Sequence, residues 1–243
     1  MDMHRRVAIV AALEREVKSV IRTWRVVERQ HEGRAFRFFE GDQAVVVCGG
    51  IGPEAARRAT QAILELYAPS LVLSVGFAGA LSPELKVGDV FTPAQVINLA
   101  DGSKVAAGVG SGTLLSLGYI ANKDEKFKLA TAYGAQAADM EAAAVARGAE
   151  AMGIAFRAVK AISDAADFTM PPMKGAVDPA GNFHIGRFLL FAILQPWSWL
   201  SIVRLARNSS VAAKTLSNYL NQYNDGAEIL NETASPVHPT GKT

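Results

Sequence analysis

Four short apolar runs rich in β-branched residues constrain this chain more than any other feature. Val7 to Ala11, Ala44 to Cys48, Leu71 to Val75 and Ala155 to Ile162 are each closed by glycine or polar residues. Runs of this length and composition read as strands buried on both faces. Longer helix-like stretches alternate with them, Pro53 to Tyr67 and Met140 to Met152. The first opens with proline, where the first turn of a helix tolerates the missing N–H. Strand, turn, helix, strand is the rhythm of a largely parallel sheet covered by helices, and an α/β sandwich is expected.

Half of the 243 residues are hydrophobic, enough for a sizeable core in one domain. That domain is expected over residues 1–223, and the polar tail 224–243, which has no apolar period, is expected to be disordered. A formal net charge of +2 gives no electrostatic case for nucleic acid. Cys48 is the only cysteine, so no intrachain disulfide can form and no cysteine cluster can hold zinc. This fits a cytoplasmic protein. The apolar run after Arg5 and Arg6 faintly imitates a signal peptide, but acidic residues interrupt it and it reads as the first core strand.

In such a sheet, ligands bind beyond the carboxyl ends of the strands. The stretch DMEAAAVARGAEAMGIAFRAVKAISDAAD, from Asp139, has acids at both ends of one helix–strand unit and few polar residues between them. If Ser163 and Asp164 end the strand and Asp139 to Glu141 begin the neighbouring helix, these acids can meet at one rim. Singly, each has a plainer reading: Asp139 as a cap, Glu141 as a charge favouring the positive helix end, Asp164 as a turn residue. Further segments join them at strand ends. Glu14 and Glu16 follow the first strand, CGGIG the second, and SVGFAGALSPELKVGDV carries the third into a glycine-bearing turn.

The motifs VAIVAALEREV, VVVCGGIGPEAARRAT, GFAGALSPELKVGDV, DMEAAAVA and AISDAAD, in this order over roughly the first two-thirds of the chain, resemble the purine nucleoside phosphorylase and nucleosidase superfamily. They are most similar to its methylthioadenosine/S-adenosylhomocysteine nucleosidase branch. The resemblance implies a single-domain, three-layer α/β/α sandwich with a mixed, largely parallel sheet. It also implies an enzyme that hydrolyses an N-glycosidic bond, needs no metal or cofactor, and works as a homodimer. Its small-molecule substrate would be a 5′-modified adenosine.

By the same resemblance, Asp164, with Ser163 before it, matches the acid that protonates the leaving base, a role requiring a carboxyl that is protonated or shares a proton, as desolvation in a closed pocket favours. Glu141 matches the glutamate that holds the ribose hydroxyls and offsets developing positive charge. Met140 lies against the sugar, and Glu16 orients and deprotonates water. Two separated carboxylates in acid and base roles follow the logic of glycoside hydrolysis. Phe77, Ala78 and Gly79, in the glycine-bearing turn after the third strand, are expected to contact the substrate. Phe77 stands where the family often has a small hydroxyl residue, and its plainer reading is packing.

Phosphate is the other nucleophile in this superfamily, and it calls for arginine forks or clustered N–H donors. The arginines of the phosphorylase branches, in the first loop and before the third-strand glycine turn, are both missing here. The CGGIG turn before a helix, with Arg57 and Arg58, is a possible anion site, so phosphorolysis stays as the alternative to hydrolysis. A non-catalytic nucleoside- or membrane-binding relative is the third reading. Between Asn98 and Ala138 the chain is shorter than the nucleosidase pattern, leaving Tyr119 or Ile120 to face the base.

The segment 183–206 carries a second departure. Its apolar run, Phe188 to Val203, is too short to span a bilayer and holds Pro196. Core or subunit packing is one reading. The other is a lip, with Trp197 and Trp199, touching a membrane or receiving a lipid tail. This resembles a hopanoid-associated phosphorylase-like branch proposed to release adenine from adenosylhopane.

Overall fold

The computed structural model describes residues 7–169 and 199–224. In chain order its elements are β1 (Val7–Ala11), α1 (Glu14–Ile21), β2 (Arg25–His31), β3 (Arg34–Glu40), β4 (Ala44–Cys48), α2 (Pro53–Tyr67), β5 (Leu71–Ala80) and β6 (Val90–Phe91). Then follow β7 (Gln95–Asn98), β8 (Lys104–Ala106), β9 (Thr113–Ser116), α3 (Lys123–Tyr133), β10 (Ala137–Asp139), α4 (Ala142–Ala151), β11 (Ala155–Asp164) and α5 (Trp199–Asn224).

All eleven strands join one sheet in the order β2-β3-β4-β1-β5-β10-β9-β7-β8, with β11 added to β5 and β6 to β11. β4, β1, β5 and β11 run parallel, as do β7, β9 and β10. The β2–β3–β4 meander and the β5–β10, β7–β8 and β6–β11 pairs are antiparallel. The sheet is therefore mixed and largely parallel at its centre.

The alternation of side chains along a strand builds the layers. Val7, Ile9 and Ala11 pack with Val17, Val20 and Ile21 of α1 and with Ala212, Leu216 and Leu220 of α5. Ala8 and Val10 point the other way, into a cluster with Ala56, Ala59 and Ile63 of α2 and Val145 and Ala146 of α4. Helices thus cover both faces, which is why β1 reads as a continuous apolar run. Complete burial of a side chain such as Ile63 contributes about 1.5–3 kcal/mol.

Three boundaries differ from the sequence expectation. β5 continues past Val75 to Ala80, because the glycine-bearing stretch still pairs, with β11 through Gly79 and with β10 at Gly79 and Ala80. β11 runs on to Asp164. Asp139 does not begin a helix but completes β10, and α4 starts at Ala142 after a non-helical Glu141. Of segment 183–206, residues 183–198, Trp197 among them, lie outside the described residues, and 199–206 open α5. The expected disordered tail from residue 225 on also lies outside them. Among the described residues, no helix is long and apolar enough to cross a membrane.

Candidate active site

Glu16 takes its place from local chain geometry. It occupies the first turn of α1, and its Oε2 accepts the N–H groups of Ala12 and Leu13, both at 3.2 Å. Reaching back to the residue before the helix is half of a capping box. The side chain is buried, and burial raises its pKa against the lowering effect of those two N–H donors and of Lys160. A Cβ at Gly76 of β5 would lie 2.9 Å from Glu16 Oε2, so the carboxylate rests directly on strand backbone.

Glu141 links two elements. Its Oε1 accepts from Gly52 N at 2.8 Å, and its Oε2 from Met140 N at 3.3 Å. Burial, and then the neighbouring charge of Asp139, push its pKa up to about 7. Asp139 itself is structural. Its Oδ2 pairs with Lys160 Nζ at 2.9 Å and accepts Ala142 N at 2.8 Å, while its Oδ1 takes the Ser116 hydroxyl at 2.5 Å. Lys160, 1% exposed, also donates to Ser74 Oγ at 2.9 Å. One buried cation thus stands among three carboxylates and lowers the pKa of both Glu16 and Glu141.

Asp164 ends β11 after a register shift between Ile162 and Asp164. The irregularity lets consecutive residues Ser163 and Asp164 both reach the same cavity, which a regular strand would forbid. Asp164 Oδ1 accepts the Ser163 hydroxyl at 2.8 Å. Its Oδ2 accepts from Lys126 Nζ, which also donates to the Ala165 carbonyl at 3.0 Å. A Cβ at Gly79 would stand 2.8 Å from Asp164 Oδ2, so only glycine leaves room for this carboxylate.

These groups surround one cavity of about 180 Å³. Glu16, Glu141, Asp164, Met140 and Ser163 line it, and so do Phe77, Ala78 and Gly79 from β5. Tyr119 and Ile120, offered as alternatives for one wall, both line it, and both remain partly exposed. Phe77 additionally packs against the cluster between the sheet and α1/α5, so its packing role holds as well.

Sequence reasoning missed Lys126, and with it Leu205 and Ser209 of α5, which also line the cavity. The available signal was the NKDE stretch: Asn122 caps α3 by accepting Glu125 N at 3.0 Å, and Glu125 returns the bond at 2.8 Å. That box locates the helix start, and so places Lys126 one turn in. That lysine gives Asp164 a buried partner which the sequence did not indicate, beside its contact with Ser163.

The possible anion site is occupied by the protein itself. Gly52 N–H is spent on Glu141, and Arg57 and Arg58 turn to Glu54 at 2.9 and 2.8 Å on the surface. The Arg57 hydrogen bond holds the Glu54 carboxyl down to about 2.

A parallel-centred α/β sandwich with acids gathered at the strand ends defines a class of small-molecule-binding domains. Within that class the chain belongs to the phosphorylase superfamily, whose family model matches residues 6–113 and 105–178. It is similar to the 5′-methylthioadenosine/S-adenosylhomocysteine nucleosidase of Actinobacillus succinogenes, at 27% identity over 67% of this chain and 86% of that one. It is also similar to the enzyme of the same name from Marinomonas sp., at 33% identity over 38% of this chain, a match spanning 41% of that relative. Among solved structures, the Helicobacter pylori methylthioadenosine/S-adenosylhomocysteine nucleosidase superposes with a TM-score of 0.69, covering 91% of this chain and 98% of that one at 16% identity.

Proposed function

We propose that this protein is a nucleosidase that hydrolyses the N-glycosidic bond of a 5′-modified adenosine and releases adenine. The observation that carries the reading is the convergence of Glu16, Glu141 and Asp164, from three separate segments, on one cavity of a phosphorylase-superfamily chain. The relatives named as nucleosidases support hydrolysis of an N-glycosidic bond.

In this reading Glu16 takes a proton from the attacking water; its buried carboxylate, with a raised pKa, is a stronger base than a free glutamate. Glu141 accepts the ribose hydroxyls and faces the cationic sugar of the transition state. Met140 packs against the ribose, and Asp164 with Ser163 holds the base end. Water is favoured over phosphate as the nucleophile because the glycine turn's N–H and the nearby arginines are committed to Glu141 and Glu54. Catalysis runs on these side chains, in a cytoplasmic homodimer.

For the 5′ group, one observation favours a lipid over a small thioether. Leu205 and Ser209 of α5 line the cavity, and on the same helix Leu200 and Val203 are 86% and 67% exposed beside Arg204. An apolar, basic helix at the cavity would suit a lipid-linked adenosine such as adenosylhopane, presented at a membrane surface.

The test is adenine release from 5′-methylthioadenosine by the purified protein, with and without phosphate, identifying the sugar by mass. Free sugar formed without phosphate is expected. A sugar 1-phosphate formed only with phosphate would replace hydrolysis by phosphorolysis. Cleavage confined to a lipid-linked adenosine in vesicles would assign the apolar helix to substrate capture. No release from either substrate would return the chain to a binding role.

A further inference from the structure

Helix α3 is fastened to the sheet by a charge as well as by apolar packing. It is 11 residues long, and the single buried one among them is Lys126, 4% exposed. Leu129 and Ala130, half-buried against the cluster that holds Leu115 and Leu117, complete its underside. Burying a lysine is expensive unless it is paired, and the partner here is Asp164. Lys126 also donates to the Ala165 carbonyl at 3.0 Å, so one side chain grips the end of β11 twice.

The connection that leads into α3 forms the base-side wall of the cavity. Leu117 fixes its near end, donating its N–H to the Asp139 carbonyl at 2.8 Å. Tyr119, Ile120 and Ala121 then line the cavity, and Asn122 caps α3. The far end of the wall is thus anchored where Lys126 is anchored, on Asp164. That carboxyl is seated by three neighbours among the described residues. The Ser163 hydroxyl holds Oδ1 at 2.8 Å, Lys126 holds Oδ2, and Gly79 leaves no room for a methyl group against it. Ser163 and Gly79 belong to the sheet, and Lys126 comes from a helix outside it.

We propose that Lys126 is a positioning residue: it fixes the aim of the Asp164 carboxyl and, through α3, the placing of the Tyr119–Ile120 wall, so that a planar base is held between the two. The inference rests on the nucleosidase reading above, and Asp164 keeps the acid role that the resemblance implies. Lys126 itself takes no part in the bond changes. Its two effects fall on different constants. The aim of Asp164 governs kcat, where a misplacement of about 1 Å costs roughly 10²-fold. The wall governs binding of the base, and so KM.

A double-mutant cycle on adenine release from 5′-methylthioadenosine separates these effects. Lys126→Met should lower kcat by roughly 10²-fold and, by loosening a stacking wall, raise KM by about tenfold. Asp164→Asn alone should lower kcat by roughly 10²- to 10⁴-fold, with KM little changed because the asparagine oxygen still accepts from Lys126. In the double variant the kcat loss should match that of Asp164→Asn to within about threefold, while the rise in KM persists. A general loss of structure would instead add to both constants in either background. Additive kcat losses would overturn the proposal, and so would a Lys126→Met protein with unchanged kcat.

Lys126→Met strands Asp164 without its cation and can prevent folding, so Lys126→Arg is the second variant. It keeps the charge and can reach both acceptors, and it should retain most of the wild-type kcat. A loss of roughly 10²-fold in a folded arginine variant would overturn the proposal. Failure of the cycle in an active protein sinks this inference alone. If the wild-type protein releases no adenine from methylthioadenosine or from a lipid-linked adenosine, the nucleosidase reading itself has failed, and this inference falls with it.

Discussion

Replacing Glu141 by glutamine should make the protein more stable and inactive at once. In the folded chain burial and the nearby Asp139 raise the Glu141 pKa from 4.5 to about 7, so an ionised Glu141 is held against its preference. The sign follows from proton binding: between these values the folded state holds more protons than the unfolded one, and stability falls as pH rises through the window. The contribution is absent well below pH 4.5 and complete above 7. At 1.36 kcal/mol per unit, the cost is about 1 kcal/mol at pH 5 and about 3 kcal/mol at pH 8. Glutamine keeps the acceptor for Gly52 N–H and removes the charge. Urea unfolding of both proteins should therefore show the variant gaining about 3 kcal/mol at pH 8, or roughly 6–12 °C in Tm, and about a third of that energy at pH 5. Adenine release should be lost at both pH values, and wild-type kcat/KM should fall about tenfold per unit below pH 7 as Glu141 protonates. A stability difference independent of pH, or a variant less stable at pH 8, would refute the reasoning.

Three other substitutions probe the site. Gly79→Ala places a methyl 2.8 Å from Asp164 Oδ2; it should displace that carboxylate, cost about 1–3 kcal/mol, and reduce kcat more than it raises KM. Lys160→Met strands Asp139 without its cation, and unfolding should show a loss of about 3–5 kcal/mol, far more than a surface lysine would give. Tyr119→Ala tests the base-side wall: losing a stacking contact of about 1–3 kcal/mol should raise the KM for methylthioadenosine by about tenfold or more, and an unchanged KM would shift that role to Ile120.

The legibility of this chain divides by the range of the interaction. β1, β4 and α2 coincide with their sequence ranges, because a strand buried on both faces and a proline-opened amphipathic helix write their periods locally. The extension of β5 through GFAGA was not legible. A glycine-bearing stretch reads as a turn, and only the pairing of β11 and β10 with it keeps it extended. Eight of the ten candidate site residues were named from motif order, and Tyr119 and Ile120 from the shortened segment as alternatives; the structure places all ten around one cavity. Lys126 was not: within KDEKFK it looks like one more solvated charge.

The sequence alone determined the layers, the strand ends at which acids would lie, and which residue types were available there, since these depend on side-chain period and on chain neighbours. The tertiary structure alone decided the state of those acids. Glu141 is perturbed by burial and by Asp139, Asp164 is tied to a lysine 38 residues away, and Lys160 stands between carboxylates from different elements. Charge state depends on desolvation and on distances of a few ångströms across the fold, and no local pattern encodes either.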